Sequence, residues 1–308
     1  MKVSYAFRKN AFYPYQGTTS WEKIPPKEVR GKYFAKLREI GFEGIEIGVG
    51  QFDQRSEAEV RELRKELEGY GVPAAAMRGG GGVAGARASG SYLARWQEAI
   101  RMAAWIGSNL VNSAISVGMT NPGGPGAGTG ERMTQGSSRL ATQADYELTA
   151  SRFREVADFA REHGVEISIE LHQHSIADNS WSCLHLLNLI DRPNVGVNPD
   201  LGNLLWNYEV PEESIEACIV ALAPRAKYWH CKQLRRLHIP DLHKAYYLQG
   251  SLPEGDIDYR FSISAMVDAG YKGFLALEGC RGGDQLYGDG RSVSYIKDIL
   301  KELGELGQ

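Results

Sequence analysis

Cysteine is scarce in this chain. Four stand in 308 residues, at positions 183, 218, 231 and 280, and no two form a C-x-x-C pair. No disulfide framework or cysteine zinc knuckle is therefore expected, and sparse thiols suit a reducing cytoplasm, the expected location. Long apolar runs are missing as well. Nothing approaches the roughly 18 apolar residues of a membrane span, and the segment Met1–Arg8 lacks the apolar core of a secretory signal. A basic excess is also absent: Lys+Arg number 35 and Asp+Glu 38, for a net charge of −3. That balance argues against nucleic acid as a partner, since phosphate binding shows as a basic face. A 43% hydrophobic share supplies a core and excludes disorder across the whole chain. No low-complexity linker or long repeat divides the sequence, so one domain over 1–308 is expected.

Glycine is the residue in surplus. There are 36, where an ordinary share of about 7% gives about 22. Thirteen of them crowd into 79–90 and 117–138. Gly80, Gly82 and Gly85 formally match a G-x-G-x-x-G dinucleotide fingerprint, but no acid-ended strand follows about 20 residues on, so the match is weak.

Short apolar runs alternate with amphipathic ones. Strands are predicted at 2–7, 44–49, 73–78, 109–116, 166–171, 195–200, 226–233 and 273–279. Helices are predicted at 26–40, 56–70, 90–106, 143–163, 181–191, 211–222, 257–269 and 285–303. In 143–163, Tyr146, Ala150, Phe153, Val156, Ala157 and Ala160 recur at steps that give one apolar face. Gly41, Gly71, Gly164 and Gly270 each stand between a helix and the next strand, where a left-handed residue ends a helix cheaply. Eight strand–helix pairs with nearly all-apolar strands predict an α/β fold, a single (β/α)8 TIM barrel; an open doubly wound sheet is the alternative. Long βα loops at 79–90, 117–138 and 234–256 leave the C-terminal ends of strands, the rim where barrels carry their active sites. The two glycine-rich loops read as mobile lids.

The last four predicted strands share one property. Each apolar run finishes on a side chain able to bind metal: Glu170, Asp200, His230 and Glu278. Taken singly, Asp200 reads as a helix N-cap and His230 as a core histidine. Taken together, neighbouring strand ends bring three carboxylates and an imidazole to one point. Burying such a cluster is unfavourable without a cation. A 2+ ion leaves the three carboxylates at −1, and this hard donor set suits Mn²⁺, with Co²⁺ or Mg²⁺ as alternatives and Zn²⁺ fitting less well. His172 and Lys232, each two residues past a ligand, and Trp181, Trp206 and Trp229 lie near the same ends. Trp229 faces away from His230 and reads as core.

From Glu170 through Asp200 and His230 to Glu278, the chain resembles the sugar phosphate isomerase/epimerase family, the xylose-isomerase-like barrels. Gly41-Phe42-Glu43-Gly44-Ile45-Glu46-Ile47, Leu252-Pro253-Glu254-Gly255-Asp256-Ile257-Asp258-Tyr259 and Ala269-Gly270-Tyr271-Lys272-Gly273-Phe274 resemble that family's segments too. The resemblance implies one divalent ion held by Glu170, Asp200, His230 and Glu278, and a sugar or small polyol as substrate. It implies an isomerase or epimerase that abstracts a proton α to a carbonyl through a metal-bound enediolate. Glu170 and Glu278 then exchange the proton, with His172 and Lys232 as further catalytic candidates and Asn203, Trp206 and Arg236 as substrate contacts. Asn203 stands where many members have histidine, and Ile176 where ketose 3-epimerases have a glutamate; Arg236 matches their arginine. A lyase or dehydratase eliminating from a 3-keto-glycoside or keto-polyol would use the same site. The segment 234–256, with His238, His243, Tyr246 and Tyr247, then holds an aglycone or forms a contact between subunits of a homo-oligomer.

Overall fold

The computed structural model describes residues 1–6, 23–85, 90–115, 137–173, 175–207, 210–242, 244–279 and 283–306. Eight parallel strands form one sheet: β1 (Lys2–Ala6), β2 (Gly44–Gly48), β3 (Ala74–Arg78), β4 (Leu110–Ala114), β5 (Glu166–Glu170), β6 (Val195–Asn198), β7 (Trp229–Cys231) and, at its chain end, β10 (Phe274–Leu277). β1 pairs with both β2 and β10, and β10 pairs with β7. A parallel bridge between Val197 and Ala226 joins β6 to the entry of β7, with the Lys227 amide donating to the Val197 carbonyl at 3.0 Å. The sheet therefore curls onto itself, and the open doubly wound alternative falls. Gly196 is needed at this seam, because a Cβ there would overlap the Arg225 carbonyl.

Nine helices run among the described residues: α1 (Lys27–Ile40), α2 (Glu57–Gly69), α3 (Tyr92–Ile106), α4 (Gln143–Glu162), α5 (Ser180–Ile190), α6 (Leu201–Leu205), α7 (Ile215–Leu222), α8 (Tyr259–Asp268) and α9 (Gln285–Glu302). All but the short α6 form a ring, in which α2 packs on α3, α3 on α4, α4 on α5, α5 on α7, α7 on α8, α8 on α9 and α9 on α1. The Arg30–Glu66 ion pair ties α1 to α2. No described helix is long and apolar enough to cross a membrane.

Local sequence explains the boundaries. Ser56, Thr142, Asn179 and Ser214 cap α2, α4, α5 and α7 by accepting the backbone N–H of the third helical residue, a cap that stabilises by about 1 kcal/mol. Gly41, Gly71, Gly164 and Gly270 all adopt positive φ where the sequence places them, after α1, α2, α4 and α8. Outward strand residues such as Val3, Ile45, Val111, Ile167, Val197 and Leu275 join the helices in one buried core. Burying each such side chain contributes roughly 1.5–3 kcal/mol. The barrel lumen is filled differently, by Ala6, Ala76, Ala276, Leu110 and Tyr228.

Two features depart from expectation. The segment 234–256 is not irregular: β8 (Gln233–Ile239) and β9 (Lys244–Gly250) pair as an antiparallel hairpin. Its root is locked by Gln233, whose amide nitrogen donates to Leu252 and Ile257 carbonyls at 2.6 and 2.9 Å while its oxygen accepts from the Leu234 and Ile257 amides. The described part of the first glycine-rich loop is also no free-swinging lid. Val83 and Ala84 are buried, and Arg152 on α4 donates to the Val83 and Gly85 carbonyls. Gly80 combines positive φ with a close approach to the Trp96 ring that a Cβ would overlap. The glycines here serve packing against α3 and α4, which also disposes of the dinucleotide fingerprint. Residues 86–89, His243, Cys280 and nearly all of the second glycine-rich loop lie outside the described residues.

Candidate metal centre

Each candidate ligand is placed by a strand or by the turn that follows one. Glu170 ends β5, His230 is the middle of β7, and Glu278 follows β10, with its amide donating to the Cys231 carbonyl at 3.0 Å. Asp200 caps α6, accepting the Asn203 amide at 3.3 Å. One donor atom from each of Glu170, Asp200, His230 and Glu278 lies within 4.8 Å of the others, and the group is almost wholly buried.

His230 gives the sharpest test of whether a cation fits. Its Nε2 is 2.6 Å from Glu46 Oε2, and its backbone amide donates to Asn198 Oδ1 at 2.7 Å. Its Nδ1 lies 3.1 Å from Glu278, 3.5 Å from Glu170 and 3.7 Å from Asp200, yet makes no hydrogen bond of acceptable geometry with any of them. A buried nitrogen aimed at the centre of three carboxylates, without a hydrogen bond of its own, is what a metal ligand looks like before the metal is counted. Burial opposes charge on this imidazole, but the Glu46 and Glu170 carboxylates outweigh it and lift its pKa well above the usual histidine range. Burial likewise opposes charge on Glu170, and His230, His172 and Lys232 together hold that carboxyl well below its usual range. The pocket is thus built for positive charge among ionised carboxylates.

Amides and one ammonium fix the acids. Asn203 Nδ2 reaches Glu170 Oε1 at 3.0 Å, Asp200 Oδ2 at 2.9 Å and the Leu171 carbonyl at 2.9 Å. Asn112 Nδ2 donates to Glu170 Oε2 at 3.3 Å, and its own oxygen accepts from Asn198 at 3.2 Å. Lys232 Nζ spans Asp200 at 2.8 Å and Glu278 at 2.9 Å. Three carboxylates, this ammonium and a 2+ ion sum to zero, which removes the excess negative charge left when the ligands alone are counted.

The other candidates fall at graded distances from this cluster. Lys232 is inside it and buried, not a surface lysine. Asn203 ties Glu170 and Asp200 together. Trp206 lies beside it, with the Lys232 ammonium 5.7 Å from the ring centroid and Tyr247 of β9 packed at 5.8 Å. His172 is half-buried two residues past Glu170, its Nδ1 2.5 Å from the Gln173 carbonyl. Arg236 is on β8, with Nε donating to the Asn207 carbonyl at 3.1 Å. Trp181 is 60% exposed and stacks on His185, apart from the cluster, and Trp229 is core against Tyr259. Sequence reasoning missed Glu46, Asn112 and Asn198. For Glu46 the signal was present: a lone acid in an apolar strand, the same pattern that marks Glu170.

The family described as "Xylose isomerase-like TIM barrel" matches residues 34–299. A xylose isomerase-like TIM barrel protein from Mycobacterium smegmatis, solved in complex with magnesium, superposes with a TM-score of 0.71 at 23% identity over 90% of each chain. D-psicose 3-epimerase from Clostridium cellulolyticum gives 0.66 at 16% identity, covering 99% of this chain and 100% of that one. In sequence, a 3-dehydroshikimate dehydratase of Bacillus anthracis is 25% identical over 153 residues, 47% of this chain and 52% of the relative. The chain thus spans about half the length of that curated relative.

Proposed function

The chain belongs to the xylose isomerase-like TIM barrel family, and from that premise we propose that it is a divalent-metal-dependent sugar isomerase or epimerase. The observation that carries the reading is the His230 Nδ1 atom, without a hydrogen bond of its own and facing Glu170, Asp200 and Glu278. These four residues would hold the ion; Mn²⁺ suits the donor set best, with Mg²⁺ or Co²⁺ as alternatives. A bound divalent ion supplies Lewis-acid stabilisation of negative charge developing on substrate oxygens.

The chain's own groups do the rest. Glu278 and Glu170 take and return the proton beside the carbonyl, from opposite faces of the substrate. Asn112 and Asn203 keep Glu170 fixed, so its carboxylate needs no reorganisation when substrate arrives. Lys232 offsets negative charge at Asp200 and Glu278. Trp206 offers a flat wall to a small sugar or polyol, His172 orients it from the β5 side, and Arg236 completes the contacts, while Asn203 braces Glu170 and Asp200.

A second reading keeps the site and changes the outcome. The curated relative is a dehydratase, and proton abstraction next to a carbonyl also starts a β-elimination on a 3-keto-glycoside or keto-polyol. One experiment separates the two: incubation in D₂O with ketoses, inososes and 3-keto-glycosides, with Mn²⁺ or with EDTA. Deuterium at the carbon beside the carbonyl, with an epimer or isomer as product, supports the first reading. Loss of water or aglycone supports the second. Exchange that survives complete metal removal overturns both.

A further inference from the structure

We infer that Glu46 is a positioning residue of the metal centre: its carboxylate, held by Arg78, grips the Nε2 side of the His230 ring so that Nδ1 is the nitrogen offered to the ion. This rests on the proposed metal centre and adds to it a residue from the opposite side of the barrel.

Glu46 is 0% exposed and sits on β2, 184 residues from His230 in sequence. Its two oxygens are divided between two partners. Oε1 accepts from Arg78 Nη1 at 2.8 Å, and Oε2 lies 2.6 Å from His230 Nε2. An ionised carboxylate only accepts, so the hydrogen on this contact belongs to Nε2. Asn112 also stands 3.3 Å from Nε2, but an NH₂ group cannot donate to an N–H, and it gives its hydrogen to Glu170. The ring is thereby committed: Nε2–H toward Glu46, and Nδ1, the nitrogen that would give up its proton to a cation, toward the three acids. The flipped ring would place Cε1 against Glu46 and Cδ2 toward the acids, and so lose the contacts of both nitrogens.

A carboxylate behind a ligating histidine both fixes the ring and raises its basicity, and losing such a group lowers metal affinity about 10–100-fold. Arg78 holds the other oxygen of Glu46 in turn. Its side chain is 28% exposed at the mouth, so it keeps solvent contact while the glutamate has none.

The test compares wild type with Glu46→Gln, which preserves shape and removes the charge. Mn²⁺ binding is followed by electron paramagnetic resonance, and thermal unfolding of both metal-free proteins is recorded. The expected result is a 10–100-fold weaker Mn²⁺ affinity with little change in unfolding, and a smaller loss in Arg78→Met. Affinity within twofold of wild type in Glu46→Gln overturns the inference while leaving the metal reading intact. Should Glu46→Gln fail to fold, the Co²⁺-loaded wild-type protein decides. Its proton spectrum must contain one hyperfine-shifted ring N–H that exchanges slowly with D₂O, the sign of a buried Nε2–H on a ring bound through Nδ1. A ring bound through Nε2, or a rapidly exchanging N–H, overturns it. Failure to bind either ion overturns the metal reading and this inference with it.

Discussion

The stem of Lys232 fills the space that a Cβ on Gly202 would need. α6 can carry the lysine across its face, and so over Asp200 and Glu278, only because residue 202 has no side chain. Gly202→Ala should push the ammonium off the two carboxylates. We expect turnover at saturating metal to fall tenfold or more, although alanine is the better helix former by about 1 kcal/mol. Lys232→Met removes the charge itself and should cost on the order of 10²–10³ in kcat, the usual effect of deleting one preorganised electrostatic contact. Steady-state kinetics on whichever substrate shows exchange measures both.

Metal removal should be reversible in function and visible in stability. Dialysis against EDTA is expected to abolish deuterium exchange, and Mn²⁺ to restore it. At metal concentrations a hundredfold above Kd, the folded state gains about 2.7 kcal/mol by mass action. A rise in Tm with added Mn²⁺ checks this without any substrate, and a Tm indifferent to metal would contradict it.

Glu170→Gln keeps the volume and the Asn112 and Asn203 neighbours but removes a negative charge and a base. Proton exchange is expected to drop by about 10²–10⁴. Full activity in this variant would remove Glu170 from the mechanism. Asn203→Ala tests the brace instead: it deprives Glu170 and Asp200 of their shared donor, which should cost about 1–3 kcal/mol. Urea denaturation reads the stability, and Mn²⁺ titration the affinity.

Gly80→Ala should damage the fold more than the chemistry. It places a Cβ at positive φ into the Trp96 ring, and strain with overpacking costs about 1–3 kcal/mol or more. A lower denaturation midpoint with unchanged kcat is expected. The reverse pattern would return this loop to the role of an active cover.

The clustering of the four candidate ligands was legible because its signal is local. Glu170 and Glu278 interrupt apolar strand sequences, and burial of an acid at a strand end asks for a cation wherever the strands meet. The helix-ending glycines were legible for the same reason, each adopting the backbone state its position demanded. Glu46 was overlooked although it carries the same mark, because its partner His230 comes from a strand far along the chain. Asn203 reads in sequence as a replaced histidine facing substrate, whereas its amide is committed to two acids and a carbonyl. That commitment depends on where α6 starts, and a helix of five residues leaves almost no periodicity to read. The β8–β9 hairpin escaped for a related reason. Arg235, Leu237, Ile239, Tyr246 and Leu248 all lie on its exposed face, so apolar and polar residues do not sort by side as they do on a strand covering a core.

Lys232 is the single residue between the end of β7 and the start of β8, so any force on the projecting hairpin would reach the ammonium directly if the joint were loose. It is not. Gln233 has all its amide hydrogen-bonding capacity engaged with the Leu252–Ile257 segment and its own neighbour, and the Lys232 carbonyl is held by Tyr259 at 2.7 Å. The hairpin is therefore clamped at its root, and a pull on its tip would have to break the Gln233 and Tyr259 hydrogen bonds before it moved the ammonium.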